Sequence, residues 1–140
     1  MTLRTRSLLA AFCLLPLMNT HAADPLDVLR QSNAGLRRTV LDNGLVCLVK
    51  EERSAPVAAV QIWIGSGSIH EDAQLGGGLA HYLEHMAFKG TPTRGATEIT
   101  KQIDDAGGEV NAYTTLDRTV FFCDLPSTSW KVGVDVLADA

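Results

Sequence analysis

Three polar residues within one short segment have the types and the spacing of a metal-dependent hydrolytic site. His81, Glu84 and His85 form the pattern H-x-x-E-H. Residues four apart on a helix project from the same side, so both histidines can direct a ring nitrogen at one metal ion. Neutral imidazole is a good zinc ligand, and catalytic zinc usually takes three protein ligands and a water. Glu84 is then placed to act as the general base that takes a proton from this water during attack on a carbonyl.

The segment around this motif is predicted to form a helix over residues 79–88. An apolar stripe recurs at helical spacing, at Leu79, Leu83 and Met86. The three glycines at 76–78 precede the helix, and Gly90 follows it where a C-terminal cap belongs. Either histidine alone would be an ordinary core or surface side chain, but the complete motif on one helix favours the zinc site.

Alternating and β-branched segments predict five strands around this helix. They are expected over residues 36–40, 45–50, 57–64, 109–115 and 119–125. The turn D-N-G at 42–44 joins the first two, because its residues favour positive φ. Together with the predicted helices, this order indicates an α+β fold in which a mixed or antiparallel sheet packs against helices.

Two further helices are predicted, over residues 98–106 and 127–140. Thr97 is expected to cap the first of them, whose buried face is formed by Ile99, Ile103 and Ala106. The glycine pair at 107–108 is expected to end it. The apolar face of the second helix is expected to lack part of its cover, at Val132, Val136 and Leu137.

The N-terminal residues 1–23 have the features of a secretory signal peptide, and residues 24–36 form a polar lead-in. Arg4 and Arg6 precede an apolar stretch of about 12 residues, too short for the roughly 20 that span a bilayer. Cleavage near Ala22/Ala23 would leave no stable membrane span and predicts a periplasmic or secreted protein. An oxidising compartment permits a disulfide between Cys47 and Cys123, and buried free thiols remain the alternative.

Composition excludes several other classes of protein. The chain has 140 residues, of which 46% are hydrophobic and 20% charged, as in ordinary globular domains. The net charge is −4 with no basic run, so no nucleic-acid partner is expected. Three cysteines without a C-x-x-C pair argue against a cysteine-rich zinc site.

Beyond the motif, several segments resemble the pitrilysin/insulinase/mitochondrial-processing-peptidase family, the inverzincins. The matching segments are L-D-N-G-L at 41–45, the loop at 65–71 with Glu71, the zinc helix at 78–91, and G-G-E-V-N-A-Y-T at 107–114. The resemblance covers residues 37–140, which are identified as the N-terminal part of a peptidase domain from a bacterial-type secreted member. It implies a Zn²⁺ ion held by His81 and His85, with Glu84 as the general base.

The third zinc ligand in such proteins is a glutamate further along the chain, so the resemblance places it beyond Ala140. The carboxylates within the chain are instead expected to be solvated surface charges, at Glu71, Glu98 and Glu109. The resemblance also implies that Asn111, Ala112 and Tyr113 border the cleft as a strand edge, where a substrate peptide adds as a β-strand. The alternative for this segment is a plain turn followed by a polar residue satisfied within a sheet.

Members of this family enclose a chamber with repeated homologous domains, and some pair with a homologous subunit. The resemblance therefore implies a zinc endopeptidase acting on peptides or unfolded segments, with a homologous partner subunit as a further expectation. The 140-residue chain by itself is expected to be an incomplete, weakly active or inactive fragment. The alternative is a non-catalytic peptide-binding or structural partner subunit of a peptidase complex.

Overall fold

The computed structural model describes residues 33–140, which divide into two units at Glu51 and Glu52. The predicted signal peptide at 1–23 and most of the lead-in at 24–36 lie outside the described residues. Each unit is described by itself below. Within the described part of the chain, no helix has both the length and the apolar character needed to cross a membrane.

The first unit contains an antiparallel hairpin. Strands β1 (Leu36–Val40) and β2 (Val46–Lys50) pair so that Leu36 lies opposite Lys50 and Val40 opposite Val46. Gly44 adopts a φ of +87°, and the side-chain oxygen of Asn43 accepts a hydrogen bond from the Leu45 amide at 3.0 Å. These features confirm the hairpin that the D-N-G turn predicts.

The second unit is built on a three-stranded antiparallel sheet. Its strands are β3 (Val57–Ile64), β4 (Glu109–Thr114) and β5 (Thr119–Pro126), in the order β3-β5-β4. Strand β5 is therefore central, and β4 lies at one edge. The register aligns Val60, Cys123 and Val110 across the sheet, and this row faces the core. The sheet is thus antiparallel rather than mixed, and the predicted α+β fold is confirmed.

Three α-helices accompany the sheet, and two of them contribute buried residues to the core. The helices are α1 (Leu79–Ala87), α2 (Glu98–Asp105) and α3 (Trp130–Asp139). Short 3₁₀ turns occur at Ser68–His70, Asp72–Gln74 and Ser127–Ser129. The buried cluster joins α2 and α3 to β5, through Ile99, Ile103, Cys123, Leu125, Val136 and Leu137.

The apolar face of helix α3 is buried, so the expectation that this face lacks part of its cover is wrong. Val136 and Leu137 are 0% and 4% exposed, and Val132 packs against the same cluster. The reason is Gly133, which lets the helix approach the central strand closely. A Cβ atom at Gly133 would lie only 2.8 Å from the Cys123 sulfur.

Helix α2 buries two of its three predicted residues and ends at its predicted glycines, whereas Ala106 is half-buried at the C-cap. Ile99 and Ile103 are 0% exposed. Gly107 has a φ of +80°, its amide donates to the Asp104 carbonyl, and the Gly108 amide donates to the Ile103 carbonyl, which is a Schellman motif. Thr97 occupies the N-cap position as predicted, but its hydroxyl makes no capping hydrogen bond to the described backbone. The Glu98 carboxylate accepts from the Gly95 amide instead.

The loop that follows α1 is fixed to the end of α3 by Asp139. Its carboxylate accepts hydrogen bonds from the Thr91 hydroxyl at 2.6 Å and the Thr93 hydroxyl at 2.8 Å, and pairs with the Arg94 guanidinium at 2.7 Å. These contacts, the Thr91 hydrogen bond foremost, lower the pKa of Asp139 to about 2. The exit of α1 is therefore held in place by charge-assisted hydrogen bonds.

The two described cysteines are free thiols. Cys123 is buried in the core, and Cys47 is half-buried on β2. Burial raises the pKa of the Cys123 thiol. Cys123 therefore acts as a small apolar side chain.

Candidate active site

Helix α1 buries a carboxylate and exposes its apolar stripe. Glu84 is only 7% exposed, whereas Leu79, Leu83 and Met86 are 48%, 60% and 43% exposed in the described chain. Hydrophobic periodicity correctly predicts this helix but not the face that it buries. Helix α1 thus faces the rest of its unit with the side that carries Glu84, the acid of the H-x-x-E-H motif.

The two motif histidines direct the same ring nitrogen toward each other. The Nε2 atoms of His81 and His85 are 3.1 Å apart, and their ring centroids are separated by 4.7 Å. Two nitrogens at this separation, each 2.0–2.1 Å from one zinc ion, would subtend an angle of about 100°, near the tetrahedral value. Both side chains are exposed and therefore accessible to an ion. The pair fits the two-imidazole portion of a zinc site.

Among residues 33–140, no third zinc-binding side chain lies next to His81 and His85. No group of three or more His, Cys, Asp or Glu side chains suited to a metal occurs in that part of the chain. Two imidazoles supply only two of the three protein ligands that catalytic zinc usually takes. The described residues therefore offer two of the protein ligands that such a site would need.

Glu84 is held by a threonine at the end of the edge strand. The hydroxyl of Thr114 donates a hydrogen bond to Oε2 of Glu84 at 2.5 Å. The neighbouring hydroxyl of Thr119 donates to the Ser66 carbonyl at 3.0 Å. The sequence pattern predicted no role for Thr114, although this residue ends the G-G-E-V-N-A-Y-T segment that resembles the family. Because a buried carboxylate needs hydrogen-bond donors, Thr114 stabilises the buried position of Glu84.

A cavity of about 400 Å³ brings together α1 and strand β4. Its lining includes Glu71, His81, Glu84, Ala112, Tyr113 and Thr114. Of the three residues predicted to border the cleft, Ala112 and Tyr113 line this cavity and Asn111 does not. The Asn111 side-chain oxygen accepts a hydrogen bond from the Ala112 amide at 2.8 Å. The Asn111 side chain thus binds the main-chain amide of Ala112 on the edge strand.

Glu71 is not the solvated surface charge that the sequence predicts. It is only 5% exposed, and its carboxylate accepts backbone hydrogen bonds from Ala80 at 2.9 Å and from Gly76 and Gly78 at 3.2 Å each. These bonds, the one from Ala80 foremost, lower the pKa of Glu71. Glu98 and Glu109 are exposed, as expected. The sequence-based expectation for Glu71 overlooked the glycine-rich segment that brings three backbone amides to one carboxylate.

The sequence and the fold match a known family of peptidases. The family model described as Insulinase (Peptidase family M16) matches residues 46–140, and the chain belongs to this family. The resemblance drawn from the motifs is thereby confirmed.

Similar proteins carry names that agree with this family. Over 104 residues the chain is 36% identical to the "Uncharacterized zinc protease YmxG" of Bacillus subtilis, covering 74% of this chain and 25% of that protein. It is 40% identical over 103 residues to the "Probable mitochondrial-processing peptidase subunit beta, mitochondrial" of Arabidopsis thaliana, covering 74% and 19%. The chain therefore spans a quarter or less of the length of these relatives.

Solved structures show the same fold. The crystal structure of pitrilysin matches with a TM-score of 0.67 and 32% identity, covering 74% of this chain and 11% of that one. The periplasmic protease PqqL from Escherichia coli matches with a TM-score of 0.67 and 30% identity, covering 76% and 12%. The α+β arrangement is therefore that of pitrilysin-type protease domains.

The contact between Thr114 and Glu84 predicts a stability difference between two conservative variants. Thr114→Val removes the hydroxyl donor at nearly constant volume and leaves a buried carboxylate oxygen without its partner. We expect it to lower the free energy of unfolding by about 1–3 kcal/mol, measured by urea denaturation with a metal chelator present. Thr114→Ser keeps the donor and is the matched control, with a smaller loss expected. Equal stability of Thr114→Val and the wild type would show that the hydrogen bond is not formed.

Proposed function

We propose that the protein to which this chain belongs is a zinc-dependent endopeptidase that hydrolyses peptide bonds in peptides or unfolded segments. One observation carries the proposal. The His81 and His85 Nε2 atoms lie 3.1 Å apart on the same helix as the buried Glu84, and this helix borders a cavity with the edge strand β4. Family membership and relatives named as zinc proteases support the same activity.

His81 and His85 are the residues proposed to hold the zinc ion through their Nε2 atoms. The bound ion would supply Lewis-acid chemistry, lowering the pKa of a water and polarising the substrate carbonyl. The third protein ligand is proposed to lie in sequence beyond Ala140. The greater length of the relatives is consistent with this assignment.

Glu84 is proposed to move the proton. With Oε2 held by the Thr114 hydroxyl, Oε1 is the oxygen that accepts a proton from the attacking water. The same carboxyl group then donates that proton to the leaving amine. The hydrogen bond from Thr114 keeps the carboxylate in one orientation during both steps, which is the geometric requirement for general acid–base catalysis.

Strand β4 is proposed to bind the substrate backbone. An edge strand offers main-chain groups that can pair with an extended peptide, and Ala112 and Tyr113 line the cavity next to His81. A peptide that uses the Ala112 amide must first displace the Asn111 side chain from it. Because only an extended backbone can pair in this way, peptides and unfolded segments are favoured over compact proteins. Relatives named as subunits of a processing peptidase support a partner subunit for the whole protein.

Export from the cytoplasm is proposed from the first 23 residues, with the mature chain beginning near Ala23 and residues 37–140 forming the start of the peptidase domain. The Arg4/Arg6 leader and the short apolar stretch support this assignment. N-terminal sequencing of the protein from a periplasmic or secreted fraction is expected to begin near Ala23. Protein that retains Met1 and stays in the cytoplasm would contradict export.

The proposed general base predicts that activity and metal binding can be separated. In a full-length protein that carries this sequence, Glu84→Gln is expected to lower kcat for an unstructured peptide by about 10²- to 10⁴-fold. The zinc content should stay near that of the wild type, because Glu84 acts on the water and not on the metal. His81→Ala and His85→Ala should lose both zinc and activity. Peptide cleavage and elemental analysis provide the two measurements.

Glu98→Gln is the matched control, since it removes the same charge from an exposed position on another helix. It should leave both zinc content and turnover unchanged. If Glu84→Gln keeps most of the wild-type turnover, Glu84 is not the general base. If the wild-type protein binds zinc and peptides but cleaves none, the non-catalytic peptide-binding alternative is correct.

A further inference from the structure

Glu71 is a buried carboxylate that the proposed chemistry does not use, and it contacts the beginning of the helix that presents His81. We propose that Glu71 is a positioning residue, which fixes the first turn of α1 and thereby sets the orientation of His81 for metal binding. This inference rests on the proposed function and deepens it. Glu71 itself is proposed to contact neither the metal nor the substrate.

The surroundings of Glu71 are polar backbone groups from one short segment. The residue lies between the 3₁₀ turns Ser68–His70 and Asp72–Gln74 and is 5% exposed. Its Oε1 atom accepts the Ala80 amide, and its Oε2 atom accepts the amides of Gly76 and Gly78. One carboxylate thus binds three amides that are spread over five consecutive residues.

The local sequence explains why this segment needs an acceptor from elsewhere. The first amides of a helix have no partner within the helix and are usually capped by the N-cap side chain. The N-cap of α1 is Gly78, which has no side chain and adopts a φ of +76°. Glu71 supplies the missing acceptor and also places a negative charge at the positive end of the helix.

The bond to Ala80 transmits this constraint to the metal site. Ala80 directly precedes His81 and lies in the first turn of α1. An unrestrained first turn would fray, and His81 would then lose its alignment with His85, which is one turn further along. Groups that orient metal ligands from outside the coordination shell typically contribute a factor of 10–100 in metal affinity or activity.

Glu71 has a geometry that distinguishes this role from direct zinc ligation. Both of its oxygens accept backbone amides, so the carboxylate is directed at the segment that begins α1. Glu71 also joins no group of metal-binding side chains within the described residues. Direct zinc ligation by Glu71 and a positioning role for Glu71 therefore predict different outcomes when its carboxylate is changed.

The test compares Glu71→Gln with Asp72→Asn, which removes the same charge from the adjacent, exposed residue. Glutamine keeps one acceptor oxygen but replaces the other with an NH₂ group, so at least one of the three amides loses its acceptor. We expect faster hydrogen exchange at Ala80, or at Gly76 and Gly78, in the full-length protein with a chelator, measured by hydrogen-exchange mass spectrometry that resolves single amides. Asp72→Asn should leave these exchange rates unchanged.

In the full-length protein, Glu71→Gln should still bind one zinc ion, with affinity reduced about 10- to 100-fold. Its kcat should fall by a similar factor while KM stays near the wild-type value, because the edge strand that binds substrate is intact. Unchanged exchange rates in Glu71→Gln would overturn the proposal. Complete loss of zinc with unchanged exchange would overturn it in favour of direct ligation.

A measurement on the wild type decides the matter if Glu71→Gln does not fold. The Ala80 amide should be protected from exchange, although it belongs to the first helical turn, where amides are normally unprotected. Free exchange of Ala80 in the wild type would overturn the proposal. Because these exchange measurements need no peptidase activity, an inactive wild-type protein would contradict the proposed function and leave the evidence on Glu71 intact.

Discussion

Two buried carboxylates connect helix α1 to the rest of its unit by hydrogen bonds, and the arrangement of the site depends on these bonds. Glu71 binds the amides at the start of the helix, and Thr114 binds Glu84 within it. If the apolar stripe of α1 faced the sheet, the H-x-x-E-H residues would point away from it. Buried carboxylates are costly unless their oxygens are paired, so each of these two acids fixes the geometry of its partners.

The apolar core lies elsewhere and supplies a firm support for this polar helix. Helices α2 and α3 pack on the central strand β5 through fully buried residues, Ile99, Ile103, Cys123 and Val136 among them. Strand β4, which ends at Thr114, is hydrogen-bonded along its length to β5. Thr114 therefore sits on a strand anchored by the core, and the position of Glu84 follows from that anchoring.

Much of the fold could be predicted from the sequence because local patterns determine it. Strand β3 was expected over the same residues that the structure shows, and the glycine pair after α2 forms the predicted C-terminal cap. The burial of Val136 and Leu137 could not be predicted, since it depends on the close approach that Gly133 permits. The exposed stripe of α1 also escaped prediction, because hydrophobic spacing indicates a helix without specifying which face packs.

The site was predictable where its residues are close in sequence and less so where they are not. His81, Glu84 and His85 lie within five residues, so their helical spacing alone brings them together. Glu71 and Thr114 are 13 and 30 residues away from Glu84, the latter at the end of strand β4. Their contacts with α1 arise only from tertiary structure. The motif thus indicates the chemistry, and the three-dimensional structure identifies the groups that hold it in place.

Zinc binding by His81 and His85 together can be measured by X-ray absorption at the zinc edge. In the zinc-loaded full-length protein, we expect two imidazole nitrogens at about 2.0–2.1 Å from the zinc and no sulfur neighbour. His81→Ala should lose one imidazole from this shell or lose the metal altogether. A sulfur neighbour at about 2.3 Å, or an imidazole shell that is unchanged in His81→Ala, would contradict the account.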